Sequence, residues 1–285
     1  MGQLAPDMAI CISRLNSDQA AINPISPKLV QMNFFISSAF ICARSALLAL
    51  PLFSGAGFAA DDASIEPKPV LYKFTTGLYQ LSGGNLPAGP SLDVNLRTTS
   101  QLGNAWVGWF RSPVQTVTQS RAGWDHTFKL GPARLMPSVQ IASGGFVGGS
   151  ASLEAGDSWF AGVGVGRTNL RNYVNLNFDP NDAWMLSGGY RWSDSNSLAL
   201  QLVRDNRLNP DQQHLHVVYR QPLPDDERLT LDLLAKRGLV AGVPIQRFGV
   251  SVVYDWPRYF MRVAWDPLVN FTQQDMLRLS VGTRF

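Results

Sequence analysis

His214 and His216 stand two residues apart in the run Gln213-His-Leu-His-Val217. In an extended strand, residues two apart share a face, so both imidazoles point one way while Leu215 and Val217 point the other. A turn at residues 222–227 can return the chain so that Asp232 lies opposite His216. A loop at 206–212 can likewise bring Asp205 opposite His214. Two imidazoles and two carboxylates in such a cluster could hold a divalent metal or run His–Asp general-base hydrolysis. No partnered serine or cysteine nucleophile stands out. The plainer expectation for His214, His216, Asp205 and Asp232 is a hydrogen-bonded polar face, with no metal and no cofactor assigned.

The glycine run Gly162-Val-Gly-Val-Gly166 has the look of a phosphate-binding loop. Its spacing fails, because the third glycine of G-x-G-x-x-G would fall at Arg167, and no helical pattern follows. Glycines at 162, 164 and 166 instead share one strand face, where a loop or ligand could come close.

The elements that must carry these residues are strands. Segments such as 91–99, 228–236 and 246–255 alternate with period two: Leu229, Leu231, Leu233 and Ala235 oppose Thr230, Asp232, Leu234 and Lys236. The same pattern recurs at 70–81, 104–111, 119–128, 133–142, 150–155, 158–166, 172–178, 183–192, 197–205, 213–220, 258–266 and 275–285, separated by turn signals such as Asp179-Pro-Asn-Asp182 and Pro222-Leu-Pro-Asp-Asp226. That makes fifteen candidates. A soluble sandwich alternates in the same way; if the strands instead close into a transmembrane barrel, an even number is required, so fourteen are then expected, with twelve as the fallback. The surplus candidate is expected within 143–166 or 112–119.

Composition agrees with an all-β chain. It has 45% hydrophobic, 11% aromatic and 16% charged residues with 25 glycines, and a mean hydropathy of −0.03. After residue 60 there are no eighteen consecutive apolar residues, so no spanning helix is available. No block of like charges suggests nucleic-acid binding.

Residues 1–31 are polar and irregular and are expected to be an unstructured or non-native extension. From Met32, the segment carries Arg44, an apolar run from Ser45 to Phe53, and Gly57 and Ala59 before a cleavage point at Ala59/Ala60. It matches a secretory signal spanning 32–59, with 60–69 as a short tail. Cys11 and Cys42 both precede that point, so the exported chain would contain no cysteine, disulfide or thiolate site. Removing Arg14, Lys28 and Arg44 from the 24 basic residues leaves 21, and removing Asp7 and Asp18 from the 21 acidic ones leaves 19.

The last strand sets Leu277, Leu279, Val281, Thr283 and Phe285 against Arg278, Ser280, Gly282 and Arg284. It resembles the terminal strand of Gram-negative outer-membrane β-barrel proteins, which ends in Phe after alternating apolar residues. The resemblance implies a single closed antiparallel transmembrane barrel over 70–285, residence in the outer membrane, and recognition by the barrel-assembly machinery through Leu279, Val281, Thr283 and Phe285. Outer-membrane lipid and lipopolysaccharide become the expected surroundings. Tyr72, Trp109, Trp159, Trp192, Tyr219, Tyr254, Tyr259 and Trp265 near strand ends fit interfacial girdles.

Within such a barrel, alternation sends nine basic residues inward: Arg97, Arg121, Arg134, Arg191, Arg220, Lys236, Arg247, Arg262 and Arg278. Six acids go with them: Asp93, Asp125, Glu154, Asp205, Asp232 and Asp266. A slightly basic lumen is expected to favour anions if water fills it. The leading function is a narrow porin-like channel for small solutes, or a purely structural envelope barrel. A hydrolase acting on lipid, lipopolysaccharide or peptide, and an accessory barrel of surface-polysaccharide export, are the alternatives.

Overall fold

The computed structural model describes residues 70–84, 88–174, 176 and 179–285. The expected extension, signal segment and tail at 1–69 lie outside the described residues. The strands are β1 (Leu71–Ser82), β2 (Gly89–Ser100), β3 (Gly103–Ser112), β4 (Val117–Asp125), β5 (Phe128–Leu130), β6 (Ala133–Ala142), β7 (Phe146–Ala155), β8 (Trp159–Thr168), β9 (Ala183–Arg191), β10 (Ser197–Asp205), β11 (Gln213–Pro222), β12 (Arg228–Val240), β13 (Val243–Asp255), β14 (Tyr259–Asp266) and β15 (Asp275–Arg284). Each pairs antiparallel with its sequence neighbour, except that β4 and β5 both pair with β6. β1 pairs with β15 and closes the ring.

β4 and β5 are one stave in a single register, since Asp125 opposes Ser138 and Phe128 opposes Leu135. The interruption at His126 and Thr127 lies across from Pro137. Proline has no N–H to give the ladder, and only its carbonyl accepts a bond, from His126 N at 3.2 Å. The barrel therefore has fourteen staves.

The surplus candidate is 172–178, a correction to the expected 143–166 or 112–119. Residues 143–166 hold both β7 and β8 around short turns, while 172–178 falls in the connection 169–182. Alternation there is misleading, because the connection enters the barrel rather than joining its wall.

Closure sorts side chains into two sets. The outer wall carries exposed apolar residues such as Leu78, Val107, Val163, Leu186, Leu200 and Val281. One rim holds both ends of the sheet, with Tyr72 stacked on Phe285 at 5.7 Å and their backbones exchanging hydrogen bonds of 2.8 and 3.0 Å. Most of the outward aromatics gather on this rim, including Trp159–Tyr190–Trp192 and Tyr254–Trp256. The opposite rim bears the longer connections, 83–88, 169–182, 206–212 and 267–274.

Inside, the wall packs around salt bridges and a small apolar cluster of Tyr79, Phe110, Leu176, Val269 and Met276 near the loop-bearing rim. Lys236 is fully buried and bonds Asp266, itself 2% exposed, and the carbonyl of Leu268 at 2.9 Å. Removing one partner of a buried pair strands the other charge, which typically costs about 3–5 kcal/mol. Lys236→Met is thus expected to lower unfolding stability in detergent by about that amount, and adding Asp266→Leu to recover most of it. Denaturant titration monitored by tryptophan fluorescence reads both.

Candidate functional site

The site is built by the connection 169–182, which leaves the loop-bearing rim and runs into the lumen. Its inward turn begins at Leu170, held at a positive φ of 61°. A leucine there is strained, so neighbours must hold it. Asn169 does so by donating to Gly145 O at 2.8 Å and accepting from Val147 N and Arg171 N. Asp182, wholly buried at the other end, accepts from the Thr168 hydroxyl at 2.5 Å and from Arg207 at 3.1 Å, and so ties both ends of the loop to the next one. Gly166 makes room, because a Cβ there would lie 2.3 Å from the carbonyl oxygen of Asn181. The expected close approach to the glycine face is therefore this loop at Gly166. At Gly162 and Gly164 the neighbours are Ser187 and Met185 of the wall.

On the β6–β7 side of the lumen, Tyr173 stacks on Phe146 with centroids 4.1 Å apart and donates its hydroxyl to Gln140 at 3.3 Å. Burial pushes the Tyr173 phenol above its ordinary pKa, against the nearby Arg121 charge. Val174 is gripped at both backbone atoms by one side chain: Gln119 donates to its carbonyl at 2.9 Å and accepts from its N–H at 2.8 Å. Leu176 enters the apolar cluster, and Arg278 donates to its carbonyl at 3.3 Å. Asp179 reaches β11, where its Oδ1 lies 3.0 Å from His214 Nδ1 and 3.1 Å from His216 Nε2.

The histidine pair thus gathers a different acid set from the one expected. Asp232 does meet His216, at 2.9 Å from Nδ1. Asp205 does not meet His214; its carboxylate accepts backbone N–H groups of Arg207, Leu208 and Asn209 and shapes the 206–212 turn. Asp179 takes the place given to Asp205. Periodicity could not have found it, because it sits on an irregular segment. His214 also stacks on Phe271 of the second inward connection, at 5.3 Å and 15°. No serine, threonine or cysteine bonds either imidazole among the described residues.

The expected inward cations distribute as follows. Arg97 pairs with Asp125, and Arg121 with Asp93 at 2.5 Å. Arg134 and Arg191 share Glu154, at 3.9 and 2.6 Å, with Arg191 also 3.8 Å above the Phe160 ring. Lys236 is in its buried pair, while Arg247 is exposed near the loop-bearing rim and donates to the Gln246 carbonyl. Arg220, Arg262 and Arg278 face the open space. Lys73 joins them, 4.0 Å over Phe260; it is absent from the expected set, although alternation with Tyr72 and Phe74 marks it as inward.

That space includes two cavities lined by described residues. One, of about 390 Å³, is lined by Lys73, Arg97, Arg121, Tyr173, Arg262 and Arg278 among others. The other, of about 250 Å³, includes Asp179, His216, Arg220, Asp232, Arg262 and Arg278. Leu176, Arg262 and Arg278 border both, so the loop stands between them.

Burial alone would raise the Asp179 carboxyl, but hydrogen bonds from His214 and His216 outweigh it and hold the group well below the usual carboxylate range. A depressed value in the docked state favours docking above the free carboxylate's pKa of about 3.9, and that contribution is lost as pH falls below it. At neutral pH, Asp179→Asn and Gly166→Val are both expected to loosen the loop and speed tryptic cleavage after Arg171 severalfold. An unchanged cleavage rate in both variants would show that these contacts do not hold the loop.

No protein-family model and no curated protein sequence matches the chain. Among solved structures, its fold is similar to the Acinetobacter baumannii outer membrane protein Omp33, at 9% identity and a TM-score of 0.49, over 75% of this chain and 97% of that one. It is also similar to Salmonella typhi OmpF in a complex with daunomycin, at 9% identity and 0.42, over 76% and 97%. A mutant of the Rh. blastica porin is similar at 10% identity and 0.43, over 76% and 99%.

Proposed function

We propose that this chain is an outer-membrane channel for small anionic solutes, constricted by the connection 169–182. The observation that carries the proposal is where the charge lies. Strand charges other than those at the rims point into the lumen, while the mid-strand outer wall is apolar, as hydrocarbon demands. Among the described residues, Arg220 and Arg262 have no carboxylate partner, and both line cavities. Cations left unneutralised along a water-filled path lower the barrier for anions.

Outer-membrane lipid is the proposed surrounding medium. On the outward face at the loop-bearing rim, Arg204, Gln213 and Arg237 form one cross-strand row, and Arg237 donates to Gln213 at 2.7 Å. Such a row suits the phosphates of lipopolysaccharide, with the aromatic rim facing the periplasm. Recognition of Leu279, Val281, Thr283 and Phe285 by the barrel-assembly machinery belongs to the same proposal; all four lie on the outward face of the final strand. Among the described residues no serine, threonine or cysteine bonds His214 or His216, which counts against a hydrolase with a side-chain nucleophile.

Planar-bilayer recording in a salt gradient tests the channel. Discrete steps with an anion-selective reversal potential are expected, and the double variant Arg220→Glu/Arg262→Glu should carry the permeability ratio across unity toward cations. A correctly folded barrel that never conducts would end the channel proposal.

The lipid placement has its own test. Leu200→Arg puts a charge mid-strand on the outer wall and is expected to cost roughly 2–4 kcal/mol in lipid vesicles, whereas the adjacent inward Gln201→Arg should cost much less. Equal costs in urea unfolding would contradict a lipid-facing wall.

A further inference from the structure

We propose that Asp179, His214 and His216 form a binding site for a borderline divalent cation of the zinc type, one that clips the inward loop to β11. The ligand atoms of these three residues lie within 4.8 Å of one another, and the two histidines are buried. Asp179 Oδ1 stands 3.0 Å from His214 Nδ1 and 3.1 Å from His216 Nε2. For metal–ligand bonds near 2.0–2.1 Å, the edges of a tetrahedron are about 3.3 Å, so two edges are nearly in place and only the edge between the imidazoles must contract.

The ring of His216 lies between two carboxylates, Asp179 at Nε2 and Asp232 at Nδ1. Nδ1 of His216 faces Asp232, at 2.9 and 3.2 Å from its two oxygens. A neutral imidazole has a single N–H. If Nδ1 donates it to Asp232, the Nε2 lone pair points at the lone pairs of Asp179, and the contact becomes attractive when a second ring proton or a metal ion lies between them. Asp232 then does what carboxylates do behind metal-binding histidines: it fixes the tautomer, aims the ring and makes the free nitrogen more basic. Two imidazoles and one carboxylate suit zinc-like ions over magnesium or calcium, which prefer all-oxygen shells. The cavity of about 250 Å³ bordered by Asp179, His216 and Gln201 leaves room for a fourth ligand such as water.

The site stands on this cluster and does not depend on whether the barrel conducts. Chelator-treated protein purified in detergent would be titrated with Co²⁺ and then Zn²⁺. One equivalent of Co²⁺ is expected to bind with visible ligand-field absorption, and Zn²⁺ to displace it. His216→Ala and Asp179→Asn should abolish the signal, Asp232→Asn should weaken binding by about 10–100-fold, and His126→Ala should leave it unchanged. Tryptic cleavage after Arg171 should slow when Zn²⁺ is added to the unaltered protein. Absence of Co²⁺ uptake by the unaltered protein would overturn the site, showing that protons alone bridge the cluster. So would equal uptake by the His214→Ala/His216→Ala variant that retains heat-modifiable gel mobility.

Discussion

The pairing of β1 with β15 is the interaction on which everything else in this molecule depends. Ten residue pairs from Lys73–Arg284 to Ser82–Asp275 join the two ends of the chain's sheet, and the Tyr72–Phe285 backbone bonds seal its rim. Without that seam the sheet would have two edges of unpaired backbone groups. With it, every strand gains an inside and an outside. Alternation then stops being a local pattern and becomes a global partition, with Arg121, Lys236 and His216 on one side and Leu186, Leu200 and Val281 on the other.

A closed wall of fourteen staves leaves an interior too wide for wall side chains to fill. Here two connections fill it from the loop-bearing rim. The docking of 169–182 rests on a mixture of devices that individually are small: a stacked Tyr173, an amide grip by Gln119, an apolar Leu176 and the carboxylate of Asp179. The wall is shaped to receive it, by a glycine at 166 and by buried Gln119 and His214 on strands far apart in sequence. Phe271 and Lys236 perform the equivalent task for 267–274, where Gly238 clears the space that Phe271 occupies.

How much of this was legible in the sequence follows from what periodicity can encode. Period two is a property of the wall, so the face on which a strand residue such as Arg121, Arg262 or His216 lies can be assigned from spacing alone. The same rule would have found Lys73. It could not reach Asp179 or Asp182, because a chain that turns at Leu170 and crosses open space has no repeating face. Segment 172–178 shows the limit most clearly. It alternates like a strand, and Val174 does make a strand-like pair of backbone bonds, but its partner is the side-chain amide of Gln119 rather than a neighbouring backbone. Asp205 failed for the converse reason. Its position on β10 was right, but three nearby N–H groups in its own turn competed for the carboxylate and won.

The two features with chemical potential, the unpaired cations and the histidine cluster, are mechanically the same object. Leu176 borders both cavities, and Asp179, three positions on in the same connection, borders one. Any change in charge at the Asp179–His214–His216 junction alters how firmly the loop is held. A loop displaced from there would also withdraw Leu176 from the border that the two cavities share. Loop position and lumen electrostatics therefore cannot vary independently. A cation seated at the junction would add positive charge beside Arg220 while fastening the loop, so that in the proposed channel a tighter passage would also attract anions more strongly.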